Sequence, residues 1–557
     1  MYNLLFGGAA GQGVETTVAV LEQIIKRSGS SIFTVKDFMS RVRGGHNFSL
    51  LRFGNTPIRS HTDELTGIIA LTEETVELHR DQLIDGGFIL CDSQLKIDDP
   101  RAIKIDMAVR ARRLGNPRVS GIIAVGILMK LFGFETNGAE EVLAKHIKKQ
   151  YLNINVQALH EGFDLVERRF DNPGGNFAQD MILTGSQAMA LGALAGGLKF
   201  YSAYPMSPST ALMEYLAPHA HEARIVVEQA EDEIAAAMMA VGASYTGARA
   251  MTGTSGGGFA LMVETLGLSG MAEIPTVFVD VQRPGPVTGL PTRTEQSDLK
   301  FVVSASQGEF PRLVIAVRHH ADAFYQTIRA LNLAEKYQIP VILLSDQYLG
   351  DASGTVPRFD LNKVRPLPVG NTPADLEPGQ EYLRYRVTES GISPRLLPGQ
   401  SEHLVLIDSD EHDEKGWITE SAEVRISQVD KRARKLKLLE TELQEPDFIG
   451  TEDFHTLLLG WGSTYGPIEE AVATLNQQDS GGYAALLFGD VYPLPQRLLK
   501  EKASQAKEII DVEQNSTAQF AGLVREYSGI KCDREILKYD GRQIMAKEIV
   551  SQVLQQA

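Results

Sequence analysis

The stretch from Val226 to Asp298 carries three kinds of side chain that can do chemistry. It contains carboxylates in EQAEDEIAAAMM, hydroxyls and glycines in TGTSGGG, and a guanidinium in VQRPG. Each group falls at a predicted strand or helix end, which is where open α/β sheets bind ligands. A guanidinium can bind a carboxylate through two parallel hydrogen bonds. The stretch is therefore a candidate ligand-binding edge.

Two glutamates of this stretch, Glu231 and Glu233, are two positions apart. We therefore expect them on different sides of a helix, so that only one of them can meet a given ligand. From the residues alone, Glu233 reads either as a solvated residue in an acidic first turn or as a buried carboxylate. A buried carboxylate without a partner costs free energy, so the second interpretation requires a ligand or another partner.

The loop YPMSPST is the second candidate. Its two prolines, Pro205 and Pro208, restrict φ and so present the hydroxyls of Ser207, Ser209 and Thr210 in a defined direction. The alternative is an ordinary strand-to-helix turn in which Ser209 or Thr210 caps the helix.

The N-terminal region offers a third candidate, a glycine-rich loop between an apolar strand and a helix. Gly8, Gly11 and Gly13 would let backbone amides approach an anion at the helix N-terminus, or would serve only tight strand–helix packing. The spacing is not GxGxxG. Further on, Arg43 lies in SRVRGGHN, which predicts either an anion contact or a surface hairpin.

Short apolar strands alternate with helical segments through most of the chain, which predicts an α/β protein with several doubly wound domains. The first domain is predicted over 1–172, before the linker-like NPGGNFAQDM, and a second α/β domain over 180–350. An irregular extension follows over 351–446, where the basic run KRARKLK predicts an interface or a solvated helix face. The last small α/β domain spans 447–557.

The composition narrows the classes of function. The net charge of 54 − 71 = −17 argues against nucleic acid or an anionic membrane surface as partner. The apolar runs are shorter than the roughly 18 residues of a spanning helix, and MYNLLFGGAA lacks a basic signal-peptide start, so we expect a cytoplasmic protein. Cys91 and Cys532 are the only cysteines, whereas an iron–sulfur cluster needs about four thiolates. Any cluster must therefore sit on a partner.

Taken together, GGAAGQG, SRVRGGHN, YPMSPST, EQAEDEIAAAMM, TGTSGGG and QRPGPVTGLPTRTEQSD resemble one family. The chain is similar over essentially its whole length to the α subunit of 2-oxoacid:ferredoxin oxidoreductases, with the γ subunit fused in front. The fused order most resembles the 2-oxoglutarate-type enzymes. The resemblance implies a transketolase-like C-terminal domain and a pyrimidine-type thiamine diphosphate domain. It also implies that 2-oxoglutarate, coenzyme A and oxidised ferredoxin are converted reversibly to succinyl-CoA, CO₂ and reduced ferredoxin.

The resemblance also implies roles for individual residues. Ser207 replaces the threonine that contacts the substrate, and Glu233, nine residues before Gly242, would meet the aminopyrimidine N1′ of thiamine. Arg283 would pair with the oxoacid carboxylate, and Arg293 is the second candidate. The remaining implied positions are Tyr204, Pro205, Met206, Thr254, Ser255, Gly256 and Glu231 for the cofactor, Thr210 for the substrate, and Gly8, Gly11, Gly13 and Arg43 for coenzyme A.

A missing motif points to a partner chain. Thiamine enzymes of this kind bind the diphosphate through Mg²⁺ with a GDG segment and a later Asn, and no such pair is present in the sequence. In the family, the diphosphate site, Mg²⁺ and a [4Fe–4S] cluster lie on the β subunit. The resemblance therefore implies half of an active site, inactive alone, in a heterodimer or a dimer of heterodimers that reduces ferredoxin.

Other functions stay open at this point. A pyruvate, branched-chain or indolepyruvate enzyme of the same kind is the nearest alternative. A nicotinamide- or flavin-binding oxidoreductase would need an acidic ribose-binding residue after the second strand, and none is seen in the sequence. A non-catalytic scaffold subunit would have no need of Ser207, Glu233 or Arg283.

Overall fold

The computed structural model of this chain describes residues 1–9, 11–39, 45–371, 376, 381–478 and 482–555. These residues form two structural units. One contains Met1–Thr184 and Ala352–Phe359, and the other contains Gly185–Asp351 and Asp360–Ala557. None of the helices in these ranges combines the length and the apolar character that crossing a lipid bilayer requires.

The first unit is built on an eight-stranded mixed sheet. Its strands are β1 (Tyr2–Ala9), β2 (Ser31–Asp37), β3 (His46–Gly54), β4 (Leu65–Ala70), β5 (Leu83–Asp92), β6 (Ala102–Ile105), β7 (Met181–Thr184) and β14 (Ser353–Val356). The order is β6-β5-β4-β1-β3-β2-β14-β7, in which β1, β4, β5 and β6 are mutually parallel and the remaining pairs are antiparallel. Strands β1 and β4 of the parallel half are almost wholly buried, as strands covered by helices on both faces must be.

The described residues of this unit form six α-helices. They are α1 (Val14–Arg27), α2 (Glu73–His79), α3 (Met107–Arg113), α4 (Ser120–Leu131), α5 (Ala139–His146) and α6 (Leu152–Phe163). Helix α4 is apolar on all sides and is almost wholly buried in the main core of the unit, where it packs against α6.

Strand β7 lies in the range that the sequence assigns to the second domain. In the structure it pairs with β14, which itself pairs with β2, and the two strands extend the first sheet. Thr184 pairs with Ser353, which lies 353 − 184 = 169 residues further along the chain. Local sequence carries no signal for such a pairing.

The second unit contains two further sheets. Strands β8 (Phe200–Ala203), β9 (Val226–Gln229), β10 (Ala250–Thr254), β11 (Thr276–Gln282), β12 (Leu313–Ala316), β13 (Pro340–Asp346) and β18 (Asp490–Tyr492) form the first, and β15 (Asp447–Gly450), β16 (Thr456–Trp461), β17 (Tyr483–Phe488), β19 (Glu508–Glu513) and β20 (Arg534–Leu537) form the second. The seven-stranded order is β18-β12-β13-β11-β10-β8-β9, parallel except for β18. The five-stranded order is β15-β17-β16-β19-β20, parallel except for β15. The predicted α/β class with several doubly wound domains is confirmed.

In the second unit, the part of the chain that the structure describes contains twelve α-helices. They are α7 (Gly185–Ala195), α8 (Thr210–Ala223), α9 (Glu233–Tyr245), α10 (Gly256–Met271), α11 (Leu299–Ser304), α12 (His320–Tyr337), α13 (Gln347–Asp351), α14 (Ala422–Leu439), α15 (Tyr465–Gln478), α16 (Arg497–Ala503), α17 (Gln519–Ser528) and α18 (Ala546–Leu554). The two sheets share one hydrophobic cluster, to which Phe278 contributes from β11 and Trp461 from β16.

Helix α14 carries the basic run that the sequence predicts as an interface or a solvated face. It is an interface, because Lys431 and Lys435 are fully buried and both pair with Glu273, which follows α10. Burial opposes ionisation of Glu273, but the two lysines outweigh it and lower the pKa of this carboxyl group. Buried charges need such partners, since an unpaired one costs several kcal/mol.

Candidate active site

The predicted site residues of the second unit meet where parallel strands of the seven-stranded sheet end. Strand β8 leads into the YPMSPST loop, β10 into the glycine-rich start of α10, and β11 into Arg283. Carboxyl ends of neighbouring parallel strands lie at one edge of a sheet, so these three segments converge.

Glu233 is the first residue of α9 and is only 4% exposed. Its neighbour Asp232 caps the helix by accepting a hydrogen bond from the backbone N–H of Ala235 at 2.7 Å, so the chain enters α9 in a defined direction. Glu233 Oε1 is buried and accepts no hydrogen bond from any residue in the described ranges. Glu231 lies before the helix and is exposed, so of the two glutamates only Glu233 is a buried, unpartnered carboxylate.

The first turn of α10 presses against this carboxylate. A Cβ atom on Gly258 would lie 2.8 Å from Glu233 Oε1 and would collide with the Thr254 hydroxyl. Ser255 precedes the turn as its N-cap residue. A glycine is therefore required at 258 by the close approach of Glu233 and Thr254, which lie on neighbouring elements.

The YPMSPST loop contacts the same turn through Met206. The Ser255 hydroxyl donates to the Met206 sulfur at 2.8 Å, and the Ser209 hydroxyl donates to the Met206 carbonyl at 2.8 Å. Ser207 itself is exposed, and Thr210 begins α8 with its backbone N–H donating to Met206. Tyr204 is 40% exposed, next to the half-buried Pro205. The loop thus presents its hydroxyl and aromatic groups outward from a fixed base.

Arg283 joins the loop to β11. Its Nη1 donates to the Ser207 carbonyl at 2.6 Å, and its Nε is buried with no acceptor among the described residues. Burial lowers the pKa of this guanidinium, and the negative charge of Asp298 opposes that effect. Arg293 lies further along the same loop, where its side chain packs beside Gly541 of the C-terminal region. Both arginines belong to the segment that follows β11, and Arg283 contacts the YPMSPST loop.

Two carboxyl groups at this edge were missed by sequence reasoning. Asp280 is fully buried in β11, in register with Thr254 of β10, and neither of its carboxyl oxygens has a hydrogen-bond partner in the described ranges. Burial and then the charge of Asp298 raise the pKa of Asp280 well above its ordinary value. Burial and Glu295 raise the pKa of Asp298 to about 6, whereas Arg283 lowers it. The sequence did contain a signal for Asp280, because it is an acidic residue inside the apolar run TVFVDV.

The glycine-rich loop of the first unit borders a cleft of about 1120 Å³. Gly11 and Gly13 have φ of 89° and 82°, and Gly13 is the N-cap residue of α1. Gly8 has a packing role, since a Cβ there would lie 2.6 Å from Gln12 Oε1. The cleft is also lined by two cationic residues that sequence reasoning missed, Arg118 and Lys148. Arg43 lies outside the described residues.

Comparisons with known proteins address the whole chain. Residues 191–431 match a family described as pyruvate flavodoxin/ferredoxin oxidoreductase, thiamine diP-bdg, and residues 3–165 match one described as pyruvate ferredoxin/flavodoxin oxidoreductase. The chain is 32% identical to a 2-oxoacid:ferredoxin oxidoreductase subunit alpha of Sulfolobus sp, over 98% of this chain and 95% of that protein. It is 33% identical to the 2-oxoglutarate oxidoreductase subunit KorA of Mycobacterium tuberculosis, over 65% of this chain and 57% of that protein.

A solved structure agrees over the same length. The 2-oxoglutarate:ferredoxin oxidoreductase from Magnetococcus marinus, determined with 2-oxoglutarate, coenzyme A and succinyl-CoA bound, superposes with a TM-score of 0.93 at 30% identity and covers 99% of this chain and 98% of that chain. The family resemblance inferred from the sequence motifs is confirmed. This chain therefore belongs to the 2-oxoacid:ferredoxin oxidoreductase family, and the relatives that it matches over nearly their full length are α subunits.

Proposed function

We propose that this chain is the catalytic α subunit of a 2-oxoglutarate:ferredoxin oxidoreductase, with the γ-type domain fused at its N-terminus. The reaction is the reversible conversion of 2-oxoglutarate, coenzyme A and oxidised ferredoxin to succinyl-CoA, CO₂ and reduced ferredoxin. The observation that carries the proposal is the buried, unpartnered carboxylate of Glu233 at the edge where a ligand would bind. The choice of 2-oxoglutarate is supported by the Magnetococcus marinus enzyme, which was determined with that oxoacid bound.

The residues at this edge fit thiamine diphosphate. A buried carboxylate oxygen without a partner is costly, and a protonated ring nitrogen of a ligand would satisfy it. The glycine at 258 lets the Thr254 hydroxyl and the Glu233 carboxylate approach the first turn of α10 closely. Glu233 would hold the aminopyrimidine, while Thr254, Ser255, Gly256 and the Tyr204–Met206 segment would line the cofactor. When bound, thiamine diphosphate supplies the carbon nucleophile that attacks the oxo group and the electron sink for loss of CO₂.

Glu233 would act by keeping the proton of that ring nitrogen in place. Its buried Oε1, which has no donor among the described residues, would accept a hydrogen bond from the protonated nitrogen. This interaction favours the imino form of the neighbouring amino group, which is the form that can remove a proton.

Ser207 and an arginine would orient the oxoacid. Arg283 retains donors beyond the one that contacts the Ser207 carbonyl, and a guanidinium suits a carboxylate. The Ser207 hydroxyl is exposed beside it, with Thr210 as a secondary contact. Arg293 is the candidate for the second carboxylate of 2-oxoglutarate, or for the first if Arg283 serves only the loop.

We infer that a β subunit covers this edge. Helices α9 and α10 expose apolar side chains close to the site, with Ile234 49%, Met238 44% and Leu261 50% exposed. Such a surface favours a protein partner over solvent. That partner would carry Mg²⁺ and the diphosphate site, since the GDG segment and later Asn are missing from this sequence. It would also carry the [4Fe–4S] cluster, since this chain has two cysteines. The complex would be a dimer of heterodimers in the cytoplasm, would reduce ferredoxin, and would be inactive without the β subunit.

Coenzyme A would use the cleft of the first unit for its phosphorylated end. Gly11 and Gly13 shape the N-terminus of α1, which attracts anions, and Arg118 and Lys148 add positive charge along the wall. Gly8 supports the loop from behind.

Substrate choice tests the proposal. The chain is purified with its thiamine-binding partner, and methyl viologen reduction is measured with 2-oxoglutarate, pyruvate and a branched-chain oxoacid, each with and without coenzyme A. CoA-dependent reduction that is fastest with 2-oxoglutarate is expected. A preference for pyruvate or the branched-chain oxoacid would reassign the substrate within the family. An absence of CoA-dependent reduction with all three oxoacids would refute the enzymatic role.

A further inference from the structure

Asp298 is held in a fixed place at the site edge by its backbone. Its N–H donates to Gln282 Oε1 at 3.0 Å, and Gln282 Nε2 donates to the Ser345 carbonyl at 3.1 Å. A Cβ atom on Gly256 would lie 2.6 Å from Asp298 Oδ1. The carboxyl group of Asp298 therefore lies against the first residue of α10.

The first turn of α10 is flanked by carboxyl groups on both sides. Gly258 faces Glu233, and Gly256 faces Asp298. A helix N-terminus stabilises nearby negative charge. Here the single N-terminus of α10 lies beside two carboxyl groups, those of Glu233 and Asp298. Glu233 has a proposed ligand in the cofactor, whereas Asp298 Oδ2 is buried and has no hydrogen-bond partner in the described part of the chain.

The charges around Asp298 are mostly acidic. Glu295 in the loop raises the pKa of Asp298, Asp298 in turn raises the pKa of Asp280 in β11, and the positive charge of Arg283 lowers the pKa of Asp298. The first turn of α10 is Gly256–Gly258 and brings no side-chain charge, and α17 meets α11 through Gln519, which accepts from the Lys300 backbone. Gln282 immediately precedes Arg283, so its hydrogen bond fixes Asp298 beside the segment that carries this guanidinium. The buried Oδ2 of Asp298, which has no partner among the described residues, favours the protonated form of this carboxyl group.

Resting on the proposed function, we propose that Asp298 is a positioning residue that couples binding of the oxoacid carboxylate at Arg283 to the uptake of one proton. An ionised Asp298 neutralises part of the positive charge of Arg283 and so weakens the attraction of the incoming carboxylate. A protonated Asp298 does not have this effect. The proton enters from solvent when the oxoacid binds and returns to solvent once the carboxylate has departed as CO₂. By linkage, the oxoacid must bind more weakly as Asp298 ionises.

The direction and range of the effect follow from the charge environment. Since the pKa of Asp298 is raised to about 6, the KM for the oxoacid should be flat below that pH. Above it, KM should rise by up to about tenfold per pH unit until the pKa of the substrate complex is reached.

The test measures KM for 2-oxoglutarate and for coenzyme A between about pH 5.5 and 8, with the chain in complex with its thiamine-binding partner. In the wild-type complex, the KM for the oxoacid is expected to increase with pH once the pH exceeds the pKa of Asp298. The KM for coenzyme A is expected not to show this increase. Asp298→Asn should flatten the oxoacid profile. Glu295→Gln should shift it to lower pH, because Glu295 raises the pKa of Asp298.

The outcomes separate this inference from the proposed function. A flat wild-type oxoacid KM in an active complex, or a wild-type slope retained by Asp298→Asn, overturns the inference and leaves the function standing. An absence of CoA-dependent reduction with every oxoacid overturns the function. If Asp298→Asn does not fold, the wild-type slope and the Glu295→Gln shift decide the question without it.

Discussion

Glu233 Oε1 lies 2.8 Å from the position that a Cβ atom on Gly258 would occupy, across the first turns of α9 and α10. The contact buries a carboxylate oxygen for which the described residues offer no donor. It also explains a glycine in the interior of a helical first turn, where glycine is intrinsically unfavourable. Glu233 Oε1 is thus a buried oxygen that a donor on a ligand would satisfy, and the turn packed against it has no space for a side chain at position 258.

Glu233→Gln should reduce turnover of the complex by about 10²–10⁴-fold, because the amide cannot hold the ring proton that a carboxylate holds. Glu231→Gln is the matched control, since Glu231 is exposed and precedes the helix. Viologen reduction measures turnover, and size-exclusion chromatography measures assembly. Equal losses in both variants, or loss only in Glu231→Gln, would move the role away from Glu233.

Gly258→Ala should lower both activity and thermal stability, because the added Cβ overlaps Thr254 and crowds Glu233. Overpacking of this kind costs about 1–3 kcal/mol. Gly242→Ala in α9 serves as the control: a Cβ there meets no atom within 4 Å, and alanine favours a helix. Thermal unfolding should show a fall for the first variant and no fall for the second. A Gly258→Ala protein of wild-type stability and activity would contradict the packing described above.

Arg283→Ala should mainly raise KM for the oxoacid, because the guanidinium is proposed to bind the carboxylate in the ground state and the transition state alike. Arg283→Lys should recover part of the affinity, since a point charge replaces a bidentate donor. Arg293→Ala is measured in parallel on the same complex. If KM changes only in Arg293→Ala, the carboxylate-binding role belongs to Arg293, and Arg283 serves the Ser207 loop.

Glu273→Gln should destabilise the chain by about 3–5 kcal/mol, because it leaves Lys431 and Lys435 buried without their counter-charge. Glu141→Gln, which removes the exposed ion pair with Arg27, should cost about 0–1 kcal/mol. Chemical denaturation of both variants gives the comparison. Similar small losses would mean that the buried cluster is hydrated or otherwise compensated.

Much of the site was predictable because its motifs are local. Glu233, Thr254, Ser255 and Arg283 were recognised from short segments with the right residue types, and the structure places them at neighbouring strand ends. Their exact roles remain predictions. The α/β class was equally predictable, since apolar strands and amphipathic helices alternate with clear periods.

The features that were missed depend on contacts distant in sequence. The pairing of β7 with β14 joins segments that local sequence does not connect. Asp280 and Asp298 lie at the same edge of the seven-stranded sheet because β10, β11 and α10 come together there in the fold. The inward face of α14 appeared basic and therefore solvated or at an interface, and only the position of Glu273 shows which lysines are buried.

The most direct test of the shared active site is a comparison of three samples: this chain alone, its thiamine-binding partner alone, and the two combined. Each receives 2-oxoglutarate, coenzyme A, thiamine diphosphate, Mg²⁺ and methyl viologen. The proposed function predicts CoA-dependent reduction only in the combined sample, and its loss when the chain carries Glu233→Gln. Reduction by either chain alone, or by the combined sample with Glu233→Gln at the wild-type rate, would contradict it.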